Sequence, residues 1–198
     1  MYKRIKRFFD ILLSLIGLII LVPVFFITAI VIGIESKGGV FFVQKRLGRK
    51  GLPFNMYKFR SMVKNAERQG TGVYSYKGDM RLTKVGRLIR AASIDELPQL
   101  INIVKGDMSI IGPRPALTYH PWPFEEYTEE QKRMFDVRPG ITGWAQVNGR
   151  KQVRWPERIQ LNIEYVDNMS FMFDMKILFM TFSNVFLMRG NNNIGETR

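Results

Sequence analysis

Residues 11–34, ILLSLIGLIILVPVFFITAIVIGI, form a run of 24 residues without a charged side chain. A helix needs about 20 apolar residues to cross a bilayer, so this stretch predicts a membrane segment. A cleaved signal peptide is the alternative. The run exceeds the usual apolar region of about 7 to 15 residues, however, and no small-x-small cleavage site follows it. The stretch therefore favours a membrane protein over an ordinary soluble domain.

Both flanks of this segment are basic. Residues 1–10 carry a net charge of +3, and the formal charge of +13 for the whole chain leaves +10 after the apolar run. Because Lys and Arg collect on the cytoplasmic side, a simple span would place one basic flank in the other compartment. Pro23 lies at the middle of the run, where its ring kinks a helix into halves of roughly 18 Å. The residues leave two alternatives open, a re-entrant helix broken at Pro23 and a proline-kinked spanning helix.

Length, charge and composition restrict the classes of function. The 198 residues fit one domain, and the charge of +13 with a pI of about 10.2 predicts attraction to anions. The absence of cysteine and the single histidine, His120, exclude a disulfide framework, thiolate chemistry and a His-rich zinc site. Nucleic-acid binding is not favoured, because no helix-turn-helix, RRM-type or zinc-finger motif is recognisable. P-loop and dinucleotide-binding fingerprints are missing as well.

Beyond the membrane segment the sequence predicts an α+β fold that is mostly helical. VFFVQ at 40–44 and FNMYKF at 54–59 flank a Gly- and Pro-containing loop, which indicates a small β-hairpin. Glycine-rich residues 141–150 predict a loop. The last predicted helix is too short to span, so it is either an amphipathic interfacial helix or a buried core helix. The helices are predicted at about 62–69, 81–92, 96–104, 129–136, 156–168 and 174–188.

The stretch 93–115, SIDELPQLINIVKGDMSIIGPRP, places an adjacent acid pair at a predicted helix start. Ser93 and Glu96 match a capping box, which is a structural interpretation. Pro98 would then be the fifth helical residue, whereas a start nearer Asp95 relieves the proline and leaves both carboxylates at the positive end of the helix dipole. An ionised carboxylate there suits a nucleophile or a Mg²⁺ ligand. Both interpretations stay open at this point.

Several arginines are candidates for binding phosphate. Pro113 and Pro115 restrict the backbone on both sides of Arg114, which fixes the direction of a planar group suited to bidentate phosphate binding. A solvated surface position is the alternative for each arginine. The others that stand beside turn or loop signals, and that could converge on a diphosphate, are Arg60, Arg90, Arg138 and Arg150.

Four ordered blocks carry a family resemblance over nearly the whole chain. They are KRFFDILLSLIGLIILVPV, FVQKRLGRKGLPFNMYKFRSM, RLTKVGRLIRAASIDELPQLINIVKGDMSIIGPRP and VRPGITGWAQVNGR. The chain resembles the small monotopic phosphoglycosyl transferases, bacterial sugar transferases that start glycan assembly on a polyprenol phosphate. The resemblance implies a re-entrant membrane helix over residues 1–35, broken at Pro23, and a catalytic domain over residues 36–198. It also implies that the protein lies at the cytoplasmic face of the bacterial inner membrane.

The resemblance implies a ping-pong transfer of a sugar 1-phosphate from a nucleoside diphosphate sugar, usually a UDP-sugar, to undecaprenyl phosphate. Asp95 aligns with the nucleophile, which attacks the β-phosphate, releases UMP and forms a covalent phosphosugar intermediate. Glu96 aligns with the second member of the dyad, and both acids are the expected ligands of a Mg²⁺ cofactor. The residues implied to contact phosphate and nucleotide are Arg90, Arg114 and Arg150, with Lys58, Arg60 and Arg138 as further candidates.

The expected partners are a UDP-sugar, undecaprenyl phosphate and membrane lipid, and not nucleic acid. The sequence is also compatible with downstream glycosyltransferases as partners and with assembly into an oligomer. A membrane-anchored anion-binding scaffold without catalysis is the alternative function, and single-step transfer is the alternative mechanism. Two departures from the family stand out. Val22 replaces a serine that could bond a freed carbonyl before the proline, and residues 118–127 form a longer loop rich in proline and aromatics.

Overall fold

The computed structural model describes residues 2–70, 72, 78–149 and 154–186 of the chain. These residues form two short two-stranded sheets surrounded by helices. The strands are β1 (Phe41–Leu47), β2 (Pro53–Phe59), β3 (Ser109–Ile111) and β4 (Gly140–Thr142). The helices are α1 (Tyr2–Ile20), α2 (Val22–Glu35), α3 (Lys84–Ala91), α4 (Gln99–Lys105), α5 (Glu129–Lys132), α6 (Trp144–Val147), α7 (Trp155–Asp167) and α8 (Phe171–Phe186).

The apolar N-terminal segment is two helices that meet at a bend of 60°. Leu21 separates α1 from α2, and Pro23 lies in the first turn of α2, where its missing N–H would have no helical partner. Leu21 still bonds to the carbonyl of Gly17 (2.9 Å), and Phe25 bonds to that of Leu21 (2.9 Å). Within the described ranges no single helix has the length and hydropathy to cross a bilayer, but the bent pair together meets that test. The helix is therefore interrupted beside Pro23, as the sequence predicts.

The bent pair exposes apolar side chains and buries polar ones. Ile19 is 73% exposed and Ile34 is 82% exposed, whereas Asp10 and Ser14 are buried. This is the reverse of the pattern in a soluble helix, because burying apolar area rather than exposing it favours folding in water. An exposed apolar surface of this extent marks an interaction site.

A buried polar network fixes α1 to the rest of the protein. Asp10 accepts hydrogen bonds from the Ser109 hydroxyl (2.7 Å) and from a backbone N–H of β3 (3.1 Å). Asp174 of α8 accepts a hydrogen bond from Tyr165 (2.8 Å) and pairs with Lys6 of α1 (2.8 Å). We call Lys6, Asp10, Ser109, Tyr165 and Asp174 the α1 anchor network.

The predicted hairpin is confirmed, since β1 and β2 pair antiparallel with Phe41 opposite Phe59 and Leu47 opposite Pro53. Phe59 is buried and packs edge-on against Phe25 of α2, with ring centroids 5.2 Å apart. The hairpin is thereby joined to the bent pair of helices.

The predicted loop at 141–150 is wrong for its described part, which contains most of β4 and all of α6. β4 pairs parallel with β3 at very close range. A Cβ on Gly140 would lie 2.1 Å from the backbone nitrogen of Gly112, and one on Gly143 would lie 2.0 Å from the carbonyl oxygen of Gly112. The glycines therefore serve close backbone approach rather than an irregular loop.

The other helices were predicted with mixed success. α3, α4, α7 and α8 confirm four predicted helices with shifted ends. The helix predicted at 62–69 is wrong, because only a 3₁₀ turn at Ala66–Arg68 forms after Asn65, which has a left-handed backbone (φ 62°). The segment predicted as one helix at 129–136 is α5 followed by a second 3₁₀ turn. α8 has both an interior and an outer apolar face, since Ile177 is fully buried while Phe179 is 76% exposed.

The aromatic loop at 118–127 packs inward at its C-terminal end, whereas Tyr119 is 59% exposed. Tyr127 is 2% exposed and meets Trp122 edge-on, with ring centroids 5.6 Å apart. Tyr127 also packs against Phe135 in a core cluster that includes Leu47 and Ile163. These aromatic side chains support the core beneath the β1–β2 turn.

Candidate active site

The acid pair lies in a tight turn between two helices. α3 ends at Ala91, Ser93 takes a left-handed conformation (φ 58°), and Ile94–Glu96 form a 3₁₀ turn ahead of α4. The predicted capping box is wrong, because the Ser93 side chain makes no cap hydrogen bond. A left-handed serine is uncommon, and such conformations collect at functional sites. The turn places the two carboxylates side by side.

Asp95 is buried and weakly partnered. Its side chain belongs to a residue only 5% exposed, and its nearest cationic atom is Arg90 Nε, 3.9 Å from Oδ2. No hydrogen bond reaches its carboxylate from the described residues. Burial raises the pKa of Asp95 and the neighbouring charge of Glu96 adds to this, although nearby cations act against the rise. Asp95 is therefore a poorly solvated carboxylate, which suits a nucleophile.

Glu96 has the opposite environment. Its Oε1 lies 2.8 Å from Lys58 Nζ and 3.2 Å from Arg114 Nη2. Burial alone would raise the pKa of Glu96, but Lys58 and Arg114 outweigh it and hold the pKa well below its ordinary value. Adjacent carboxylates whose environments push their pKa values apart are suited to different roles. Glu96 is thus fixed as an anion, while Asp95 is left available to react.

The structure gathers some predicted site residues and places others elsewhere. Lys58, Arg90 and Arg114 all lie against the acid pair. Arg60 instead donates to the hydroxyl of Ser36 (2.8 Å) at the end of α2. Arg138 donates to the carbonyl of Gly106 (2.8 Å) and makes no contact with either acid. The predicted contact at Arg150 lies outside the described residues.

A cleft beside Arg114 contains two polar residues that the sequence did not single out. Arg46 and Gln99 line it together with Met56, Arg114 and Pro115. The signal was present in β1, where alternate residues from Phe42 onward point inward. Arg46 thus occupies an inward position, which is unusual for a charged side chain.

The residues at the acid pair fit a Mg²⁺ ion that is shared with a substrate. Within the ranges given above, no cluster of three or more His, Cys, Asp or Glu side chains is present. Mg²⁺ commonly binds through one or two carboxylates and completes its shell with substrate phosphates and water. The Asp95 carboxylate, which is buried and accepts no hydrogen bond from the part of the chain that the structure describes, fits such a cation because the added positive charge would offset its burial.

Comparisons with known proteins find relatives over nearly the whole chain. The family described as "Bacterial sugar transferase" matches residues 1–188. The uncharacterized sugar transferase EpsL of Bacillus subtilis is 44% identical over 94% of this chain and 89% of its own. A UDP-N-acetylgalactosamine-undecaprenyl-phosphate N-acetylgalactosaminephosphotransferase of Aeromonas hydrophila is 41% identical over 93% of this chain. A UDP-glucose:undecaprenyl-phosphate glucose-1-phosphate transferase of Escherichia coli is 39% identical over 90%. The chain spans 44% and 39% of these last two proteins.

Proposed function

Since the chain belongs to the bacterial sugar transferase family, we propose that it transfers a sugar 1-phosphate to undecaprenyl phosphate. The proposed donor is a nucleoside diphosphate sugar, specifically a UDP-sugar, as the names of two relatives state for those proteins. The observation that carries the proposal is the contrast within the acid pair. Asp95 is buried and receives no hydrogen bond at its carboxylate from the described residues, beside a Glu96 that two cations hold ionised.

In the first step an oxygen of Asp95 forms a bond to the β-phosphorus of the donor. The bond from that phosphorus to the bridging oxygen breaks, and UMP leaves with the electron pair. In the second step a phosphate oxygen of the acceptor lipid attacks the same phosphorus, and the Asp95 carboxylate leaves. The products are polyprenyl diphosphate sugar and the free enzyme, and this is the first membrane step of glycan assembly. A covalent intermediate divides the transfer into two displacements.

Charge neutralisation is the main task of the surrounding residues. Attack by a carboxylate on a phosphate brings two anions together, and fixed cations lower the barrier by stabilising the charge that develops. Arg90 lies nearest Asp95, and Lys58 and Arg114 converge on Glu96. Glu96 therefore positions two cations next to the reacting group. Mg²⁺, which Asp95 and Glu96 would hold together with donor phosphates, supplies further Lewis-acid neutralisation when bound.

The acceptor is a membrane lipid, so the acid pair has to reach the headgroup region. We propose that residues 1–35 insert as a re-entrant helix, with the domain on the cytoplasmic face of the bacterial inner membrane. The 60° bend and the exposed apolar surface of the pair support insertion. The basic charge on both flanks supports a return to the same side.

Asp95→Asn tests the proposed function. The variant keeps the shape of the side chain but removes the nucleophile, so UMP release from a panel of UDP-sugars should fall to background. Labelled sugar phosphate should become attached to the wild-type protein when acceptor lipid is omitted, and not to the variant. Glu125→Gln, which removes an exposed carboxylate from a surface 3₁₀ turn, is the matched control. Undiminished UMP release by Asp95→Asn would remove Asp95 as nucleophile. Nucleotide binding by the wild type without turnover would favour an anion-binding scaffold.

A further inference from the structure

We propose that Arg46 and Gln99, together with Arg114, form a phosphate-binding subsite next to the acid pair. The ligand is the phosphate group that neighbours the transferred phosphate. This inference rests on the proposed function for the identity of that phosphate. It adds a second anchoring point next to the acid pair, through Arg114, which both lines the cleft and contacts Glu96.

The cleft connects directly to the acid pair through one side chain. Arg114 lines the cleft and also lies 3.2 Å from Glu96 Oε1. Gln99 lines the same cleft, is only 3% exposed, and its amide has no hydrogen-bond partner within the part of the chain that the structure describes. A largely buried residue whose amide has no protein partner is suited to bind a ligand at the cleft that it lines.

Arg46 contributes a charge that Glu67 and Glu96 offset only from a distance. Its Nε donates to Gln44 Oε1 (2.9 Å) and its Nη1 donates to the carbonyl of Pro115 (3.1 Å). Gln44 in turn donates to Glu67, and no acidic side chain of residues 2–70, 72, 78–149 or 154–186 pairs directly with Arg46. Burial and then the charge of Arg114 lower the pKa of Arg46 to about 10, so it stays cationic at neutral pH. Two neighbouring guanidinium groups, of which only Arg114 pairs directly with a carboxylate among the described residues, favour a phosphate ligand.

One subsite can serve both halves of the proposed reaction. In-line displacement at phosphorus places the attacking and leaving groups on opposite sides. Asp95 attacks from one side in the first step and leaves from that side in the second. The phosphate of the departing UMP and the phosphate of the incoming lipid therefore use the same opposite side. A subsite for the phosphate next to the transferred group would hold each of them in turn.

The experiment compares three variants of the full chain with wild type in lipid nanodiscs. Arg46→Gln removes the guanidinium group proposed to bind the phosphate, and Gln99→Glu places a carboxylate in the cleft with little change of shape. Lys45→Gln removes the same charge from the exposed face of β1 and is the matched control. Binding of inorganic pyrophosphate is measured by calorimetry, and thermal unfolding is recorded for every variant.

We expect Arg46→Gln to raise the Kd for pyrophosphate about 10- to 100-fold, because a charge-assisted hydrogen bond is lost. Gln99→Glu should weaken binding at least as much while its melting temperature stays level or rises, since the new carboxylate can pair with the arginines. If Arg46 served only to hold Pro115 in place, the variants would lose pyrophosphate binding only where they also lose thermal stability. Lys45→Gln should bind within about twofold of wild type, as expected for a solvent-screened charge.

Two kinetic arms then distinguish the source of the phosphate. UMP release without acceptor tests the leaving phosphate, and discharge of the isolated phosphosugar enzyme to polyprenol phosphate tests the acceptor phosphate. Slowing of both arms supports shared use, and slowing of one alone overturns it. Pyrophosphate binding by Gln99→Glu that matches wild type overturns the subsite itself, even if Arg46→Gln fails to fold. Pyrophosphate binding needs no turnover. Absence of UMP release by the wild type would therefore overturn the proposed reaction but not the proposed subsite.

Discussion

At the residue scale, two adjacent acids differ because their neighbours differ. Glu96 receives Lys58 and Arg114, whereas Asp95 lies buried with Arg90 at 3.9 Å. The sequence shows two similar carboxylates in succession and does not show which one the cations reach. That assignment comes from β2, which carries Lys58 to Glu96 from 38 residues earlier in the chain.

The raised pKa of Asp95 leads to a prediction about pH. A nucleophilic carboxylate has to be ionised, so UMP release should decline as pH falls through the pKa of Asp95. Because burial raises that pKa, the decline should begin at a higher pH than for an ordinary aspartate. Lys58 acts against the rise, so Lys58→Met should move the decline to still higher pH. The rate of UMP release without acceptor, measured against pH, checks both shifts. An unchanged profile in Lys58→Met would contradict the proposed environment of Asp95.

Two similar sequence patterns at this scale have different outcomes. Ser93 to Glu96 and Thr128 to Gln131 both fit a capping box, but only Thr128 and Gln131 form one. Ser93 fails because its backbone is left-handed and because Glu96 is engaged by Lys58 and Arg114. The local pattern thus predicts a cap correctly only where no distant residue binds the side chain at the third position.

At the element scale, the β3–β4 pair depends on the absence of side chains. A Cβ at Gly140 would lie 2.1 Å from Gly112 N and 2.4 Å from Thr142 O. Both neighbours are backbone atoms that cannot move aside. The strands meet closely because glycine permits it, and this brings Pro113 and Arg114 up against the segment that follows Arg138.

Gly140→Ala should therefore destabilise the protein by more than about 2 kcal/mol, because the methyl group has no room. Gly33→Ala is the control, since a Cβ there would meet nothing within 4 Å. The control should change stability by less than about 1 kcal/mol. Thermal unfolding of both variants in the same detergent checks the difference. Equal melting temperatures would show that the strands can separate without cost.

The α1 anchor network makes a second prediction at this scale. Asp174 pairs with Lys6 at 2.8 Å, and their side chains are 3% and 11% exposed. Asp174→Asn should lower the free energy of unfolding by about 3 kcal/mol, because it takes away the closer of the two carboxylates that Lys6 pairs with and leaves Asp10 at 3.9 Å. The Lys132–Glu129 pair has the same distance, but the Glu129 side chain is 91% exposed, so Glu129→Gln should cost less than about 1 kcal/mol. Chemical unfolding of the two variants compares them, and a similar loss in both would rule out an anchoring role.

Elements were more predictable than their connections. Periodicity indicated α3, α7 and the β1–β2 hairpin, because each has a repeating buried face. It did not indicate β3 and β4, which are three residues each and pair across a long stretch of chain. Strands that short have no period to detect, and their pairing is decided by backbone fit. The cleft at Arg46 was missed for a related reason, since it requires knowledge of what faces the hairpin.

At the scale of the whole molecule, the proposed topology places both ends of the bent pair on one side of the membrane. The chain has no native cysteine, so single cysteines give clean labels. Lys3→Cys before the apolar run and Lys45→Cys after it are both at exposed positions. In sealed inside-out vesicles an impermeant maleimide should label both to the same extent. Labelling of one position only from the outside and the other only after lysis would establish a spanning helix.

The hairpin also sets the distance between the acid pair and α2. Phe59 packs on Phe25 of α2, and the preceding residue, Lys58, reaches Glu96 on the other face of the same strand. A single peptide unit thus separates the contact with the bent pair of helices from the contact with the acid pair. The spacing between the two contacts is short and fixed, because adjacent strand residues point in opposite directions along an extended backbone. The distance from α2 to the acid pair is therefore set by covalent geometry, and a tilt of α2 would move the carboxylates with it.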